Sequence, residues 1–219
     1  YYKWYKFIDY PENYHSWWGI SILPEVIEES PEFIEYITGE NGIARKWLSL
    51  GARGWRLDVA NEVSDQTWQE FRKSVKAMNS KNVTVLEDGS TTYDDGDDAA
   101  IIGEIWSDAA YYLLGDMYDS VMNYVFRDAA AGFARTYRIN RDDKNYNLDE
   151  DYTAWDALNT LEITRERYPQ EAFYAMMNLV GSHDTARILS YLDDVEDDGW
   201  KNNTLQNAYP SYANTSATA

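Results

Sequence analysis

Four short runs, Ala52 to Val59, Ala100 to Ile105, Ser120 to Phe126 and Met176 to Gly181, read as buried apolar strands separated by stretches of helical period. Strands buried on both faces need cover on both, which a parallel sheet with crossover helices supplies. The intervening patterns fit such helices. Ser30-Pro31 is an N-cap followed by proline at the first helical position. Phe33, Ile34 and Ile37, then Ile43, Trp47 and Leu50, continue a helical stripe broken at Gly39 and Gly42 and stopped at Gly51. Asp65 to Asn79 is the cleanest helix, with Trp68, Phe71, Val75 and Met78 at i, i+3, i+7 and i+10. Ala154, Leu158 and Leu161 open another. The fold class is therefore α/β, and in parallel sheets of this kind chemistry gathers at the C-terminal ends of strands. Three strand ends deliver a carboxylate: Asp58, Glu104 and Asp184.

Between these elements the chain changes character. Tyr1 to Ile22 is aromatic and irregular, a long loop ending in the pair Trp17-Trp18. Val83 to Ala99 reads as an acidic insertion with one short strand, Val83 to Leu86, emerging ahead of the Glu104 strand and so on the face away from chemistry. Arg141 to Asp151 is an acidic loop, and the tail after Leu192 is acidic and then polar.

Charge narrows the function. With 19 Lys+Arg against 38 Asp+Glu the formal charge is −19, and no basic stripe interrupts it. Nucleic acid and anionic membrane surfaces are poor partners for such a chain. The absence of cysteine excludes disulfides, thiolate zinc sites and cysteine nucleophiles, and His15 and His183 alone do not make a histidine-rich metal site. No apolar run approaches the roughly 18 residues of a membrane helix. Aromatic residues make up 16%, with 19 Tyr and 9 Trp against 6 Phe. Tyr and Trp pair a flat apolar face with a polar edge, which suits them to sugar rings as well as to a core.

Within Gly54-Trp55-Arg56-Leu57-Asp58-Val59-Ala60-Asn61-Glu62, Arg56 and Asp58 stand two apart and project to one side of a strand. A guanidinium keeps such a carboxylate ionised and oriented, as a nucleophile requires. The same pair also serves as a plain ion pair at a strand end. Glu104 follows Gly103 among Ile101, Ile102 and Ile105, an apolar setting that favours a protonated acid.

Taken in order, that stretch, Ile102-Gly103-Glu104-Ile105-Trp106, and Leu179-Val180-Gly181-Ser182-His183-Asp184-Thr185 resemble three signature regions of the α-amylase family of glycoside hydrolases. Trp17-Trp18-Gly19 with Leu23-Pro24, Met122-Asn123-Tyr124 with Phe126-Arg127, and Ala186-Arg187-Ile188-Leu189 resemble its neopullulanase, cyclomaltodextrinase and amylopullulanase branch. The resemblance implies a retaining hydrolysis of α-glucosidic bonds in starch, pullulan or cyclodextrins. Asp58 would be the nucleophile with Arg56 supporting it, Glu104 the general acid, and Asp184 with His183 the holder of sugar hydroxyls. Trp106 would stack on the leaving sugar, with core packing as its other reading. Glu62 would line the acceptor side or simply face solvent, and Arg187 has a structural or subsite-edge role.

By the same resemblance the chain is a fragment of a (β/α)8 TIM barrel, about strands 4 to 7 with their helices. Residues 1–22 would be the tail of the loop domain after strand 3, and 23–219 a partial catalytic barrel. The first three strands, strand 8 and the C-terminal β-domain are expected outside the sequence, and the fragment alone is expected to be inactive. The resemblance implies no cofactor for the chemistry. A structural calcium stays open, but Asp143 to Asp151 does not support it: Leu148 stands where a calcium loop needs glycine and Ala154 where it needs glutamate. The expected partner is an α-glucan, with no nucleic acid and no membrane; oligomeric state is open. Extracellular location is favoured over cytoplasmic. A glucanotransferase and a non-catalytic glucan binder are the competing readings, the binder disfavoured by retention of all three carboxylates.

Overall fold

A computed structural model of the chain describes residues 1–79, 83–85, 87, 91–93, 99–134, 153–188 and 191. They fall into two compact units, Tyr1–Glu104 with Tyr111–Val121, and Ile105–Ala110 with Met122–Ala219.

The first unit opens with an antiparallel pair, β1 (Phe7–Asp9) and β2 (Asn13–Tyr14), where the sequence suggested only an irregular loop. Its aromatic residues make ring contacts, such as Trp4 against Phe33 and Tyr36, that no periodicity announces. Helix α1 (Pro31–Thr38) starts as expected, with Ser30 as N-cap and proline in its first turn. Helix α2 (Ile43–Ser49) follows, and Gly51 ends the segment at φ +105°, a left-handed conformation open to glycine. Strand β3 (Gly54–Leu57) is shorter than the predicted run, and helix α3 (Asp65–Asn79) has the predicted bounds. Helix α3 packs beside α1 and α2, and its stripe buries Phe71 and Val75, with the Phe71 ring edge-on to Trp55 of β3.

The insertion contains two strands rather than one, β4 (Val83–Val85) and β5 (Thr91–Tyr93), paired antiparallel. Strand β6 (Ala100–Gly103) then pairs with β3 in parallel, Gly54 opposite Ala100 and Leu57 opposite Gly103. Gly54 allows that approach, since a Cβ there would lie 2.3 Å from the Ala100 carbonyl oxygen. Ile102 and Gly103 pair in parallel with Ser120 and Val121, the first half of β7 (Ser120–Asn123).

In the second unit the other half of β7, Met122 and Asn123, pairs in parallel with β8 (Met177–Asn178). The predicted strand through Phe126 ends early, because helix α4 (Tyr124–Ala134) begins there. The Asn123 side chain accepts the Phe126 N–H at 3.0 Å, the cap that turns strand into helix. Helix α5 (Ala154–Arg167) carries a capping box between Thr153 and Asp156. Its buried positions are Ala157 and Thr164, whereas Leu158 of the expected stripe is 53% exposed. Helix α6 (Gln170–Ala175) leads into β8. The acidic loop at 141–151 lies outside the described residues, as does the tail after Leu192. Among the described residues no helix is long and apolar enough to cross a membrane.

Candidate active site

Asp58 follows the last residue of β3, and Arg56 lies two residues earlier, so both side chains leave the same side of the chain. They form the expected ion pair, Arg56 Nη1 to Asp58 Oδ1. The guanidinium does more than the sequence suggested. Its Nη2 reaches Glu104 Oε2 at 3.1 Å, so one cation serves both carboxylates. The two differ in exposure: the Asp58 side chain is 73% exposed and that of Glu104 6%.

The corner after Asp58 fixes this geometry. Val59 sits at φ +41°, ψ +47°, a left-handed conformation that a β-branched residue adopts only under constraint. The turn aims the Val59 N–H at Glu104 Oε2, 2.8 Å away, and the Ala60 N–H at the Glu104 carbonyl, 3.2 Å away. In return the Glu104 N–H bonds the Leu57 carbonyl at 2.8 Å. Trp68 Nε1 and the Tyr118 hydroxyl both donate to the Ala60 carbonyl, at 2.7 and 2.9 Å. Glu104 was expected in an apolar setting. Its strand is apolar, yet its carboxylate meets a guanidinium and a backbone amide.

Glu62 is exposed, and its carboxylate receives the indole N–H groups of both Trp17 and Trp18, the latter at 3.1 Å. Those rings stack 4.4 Å apart at 13°. Trp18 is 75% exposed and held at φ +50°. So Glu62 is neither idle nor simply solvated; it clamps a tryptophan pair from the aromatic loop.

Trp106, His183 and Asp184 belong to the second unit. Trp106 is 46% exposed and stacks face to face on Tyr124 at 3.9 Å and 6°. The Tyr124 hydroxyl donates to Ser182 Oγ at 3.0 Å, and the same Oγ accepts the Asp184 N–H at 3.1 Å. His183 Nε2 lies 3.1 Å from Asp184 Oδ2. Thr185 Oγ1 accepts the Ser182 N–H at 2.9 Å, closing the turn. Arg187 is exposed, and its carbonyl accepts the Tyr191 N–H at 2.8 Å.

Sequence reasoning missed Val59, Tyr124 and Ser182 as site residues. Serine two places before aspartate is a turn signal that points to Ser182. Tyr124 stood in a quoted motif without a role. Nothing in a valine announces a positive φ. Among the described residues no group of three or more His, Cys, Asp or Glu side chains is placed to hold a metal ion.

Residues 4–211 match the family model for the alpha amylase catalytic domain. The chain is 39% identical over 173 residues to neopullulanase 2 of Thermoactinomyces vulgaris, covering 78% of this chain and 24% of that protein. It is 33% identical over 199 residues to an amylopullulanase of Thermoanaerobacter thermohydrosulfuricus, covering 81% and 12%. The solved debranching enzyme of Nostoc punctiforme superposes with a TM-score of 0.71 at 32% identity, over 87% of this chain and 38% of that one. The chain thus spans a quarter or less of the length of these two curated relatives.

Proposed function

The chain belongs to the α-amylase family, its parallel strands and crossover helices being part of that family's (β/α)8 barrel, and we propose that it carries the retaining machinery of an α-glucan hydrolase. The supporting observation is the single Arg56 guanidinium shared by Asp58 and Glu104. Two carboxylates held on one cation, one exposed and one buried, suit the unequal roles of a retaining pair. The buried Glu104 protonates the glycosidic oxygen while Asp58 attacks the anomeric carbon, giving a glycosyl-enzyme. Glu104, now a carboxylate, takes a proton from water, which displaces Asp58 with net retention. The Arg56 guanidinium and the Val59 N–H both reach Glu104 Oε2, which orients the carboxyl group. Asp184 and His183 hold sugar hydroxyls, and Trp106 stacks on the leaving sugar. Glu62 acts on the acceptor side through the tryptophans it clamps.

The substrate class is an α-glucan with α-1,4 bonds, extending to α-1,6 bonds, as in starch, pullulan or cyclodextrins. The names of the relatives support this choice. The test uses the full-length protein on pullulan, with the anomer released first read by NMR. Retention gives the α-anomer; initial release of the β-anomer overturns the mechanism. Asp58→Asn is expected to lower kcat by roughly 10⁴-fold or more with the melting temperature retained. Products made only by transfer to added sugar would favour a glucanotransferase.

A further inference from the structure

Trp106 and Asp184 lie 78 residues apart in sequence, yet both rest on Tyr124. Its ring backs the Trp106 indole at 3.9 Å, nearly coplanar. Its hydroxyl, on a residue only 1% exposed, donates to Ser182 Oγ, which in turn accepts the Asp184 amide. Without the tyrosine hydroxyl the serine side chain has three staggered rotamers to choose from, and only one presents its oxygen to that amide. Burial of the tyrosine limits the water that can replace the bond from its side, while Ser182 is half-buried.

We propose that Tyr124, acting through Ser182, is a positioning residue that fixes the Asp184 backbone and the Trp106 ring together. The proposal rests on the α-glucan hydrolase reading for the meaning of those two residues. Position follows from the fold: Tyr124 is the first residue of α4, directly after β7, so its ring starts from a strand end rather than from a loop. Sugar stacked on Trp106 and sugar hydroxyls held by Asp184 would therefore be gripped by groups with one common support. The link makes the hold on the sugar depend on a hydroxyl that never touches it.

The experiment compares full-length wild type with Tyr124→Phe, Ser182→Ala and the double variant. Tyr124→Phe keeps the ring and removes only the hydroxyl, so it tests the link without opening a cavity. Each single variant is expected to lower kcat on pullulan about tenfold, with KM changed less than about twofold and the melting temperature held. The double variant is expected to be no worse than Ser182→Ala alone, because both changes break one chain of contacts. Tyr124→Leu, which also removes the surface behind Trp106, is expected to raise KM as well. Wild-type kcat in Tyr124→Phe, or losses that add in full in the double variant, overturns the proposal. A second readout is independent of substrate: hydrogen exchange of the peptide holding Ser182 to Thr185 should quicken in both single variants. Unchanged protection there overturns the link even if the wild type proves inactive on pullulan, an outcome that by itself would overturn only the hydrolase reading.

Discussion

Val59 shows how a single backbone angle assembles the site. Its left-handed turn supplies the N–H that holds Glu104 Oε2, and a valine pays for that conformation with on the order of 1 to 2 kcal/mol. Val59→Gly relieves the strain but adds unfolded-chain entropy, so stability should change by less than about 1 kcal/mol. Val59→Pro removes the donor and forces φ near −65°, and should cost roughly 3 kcal/mol or more along with most activity. Thermal melts and kcat of both variants check this. The pairing of Arg56 with Asp58 was legible because two-residue spacing puts them on one side of a strand. The sharing of Arg56 with Glu104 was not, because it depends on β3 and β6 being neighbours in parallel register, which no local pattern states. The same holds for Glu62, whose tryptophan partners lie 45 and 44 residues away.

At the scale of elements, the strongly periodic helix α3 was readable to its ends because its apolar stripe and its buried face coincide. Helix α5 was readable in existence but not in orientation. Leu161, four residues after the buried Ala157, shares its face and is half-buried, whereas Leu158 lies off that face and is exposed, so tertiary packing kept only part of the expected stripe. Helix α3 is tied to the residue before β7 by a network centred on Asp119, which accepts from Arg72 at 2.7 Å, Lys76 at 2.8 Å and the Ile101 N–H at 2.9 Å. Burial alone would push the Asp119 carboxyl up, but Lys76, Arg72 and the Ile101 amide outweigh it and hold it below its usual value of 3.8. A carboxylate whose folded pKa is depressed stabilises the fold above its unfolded pKa and loses that contribution as pH falls through the folded one. Asp119→Asn should therefore cost about 2 kcal/mol near neutral pH, with the gap to wild type narrowing below about pH 4. Urea titrations at several pH values measure it. Thr153→Ala, which breaks the exposed capping box of α5, should cost about 1 kcal/mol with no pH dependence near neutrality.

For the molecule as a whole, composition set the outline and left the interior open. An acidic chain of pI about 4.3 should be least soluble near that pH and best dispersed near neutrality, where its charge is −19, and turbidity followed across pH tests this. The class of fold followed from alternating strands and helices, while the aromatic richness spoke equally for core and for surface. The structure divides it: Tyr118 and Tyr124 are buried, Trp18 and Trp155 exposed. The stacked Trp17 and Trp18 rings have a further consequence. Two indoles 4.4 Å apart and nearly parallel share their excited states, so their transitions split and give a paired circular-dichroism band whose sign and size depend on their mutual angle. Bulk fluorescence sums all nine tryptophans, but this couplet arises from ring geometry, so the Glu62 clamp carries its own optical gauge. Glu62→Gln should shrink it, and titrating the full-length protein with a maltooligosaccharide should alter it if sugar reaches the pair.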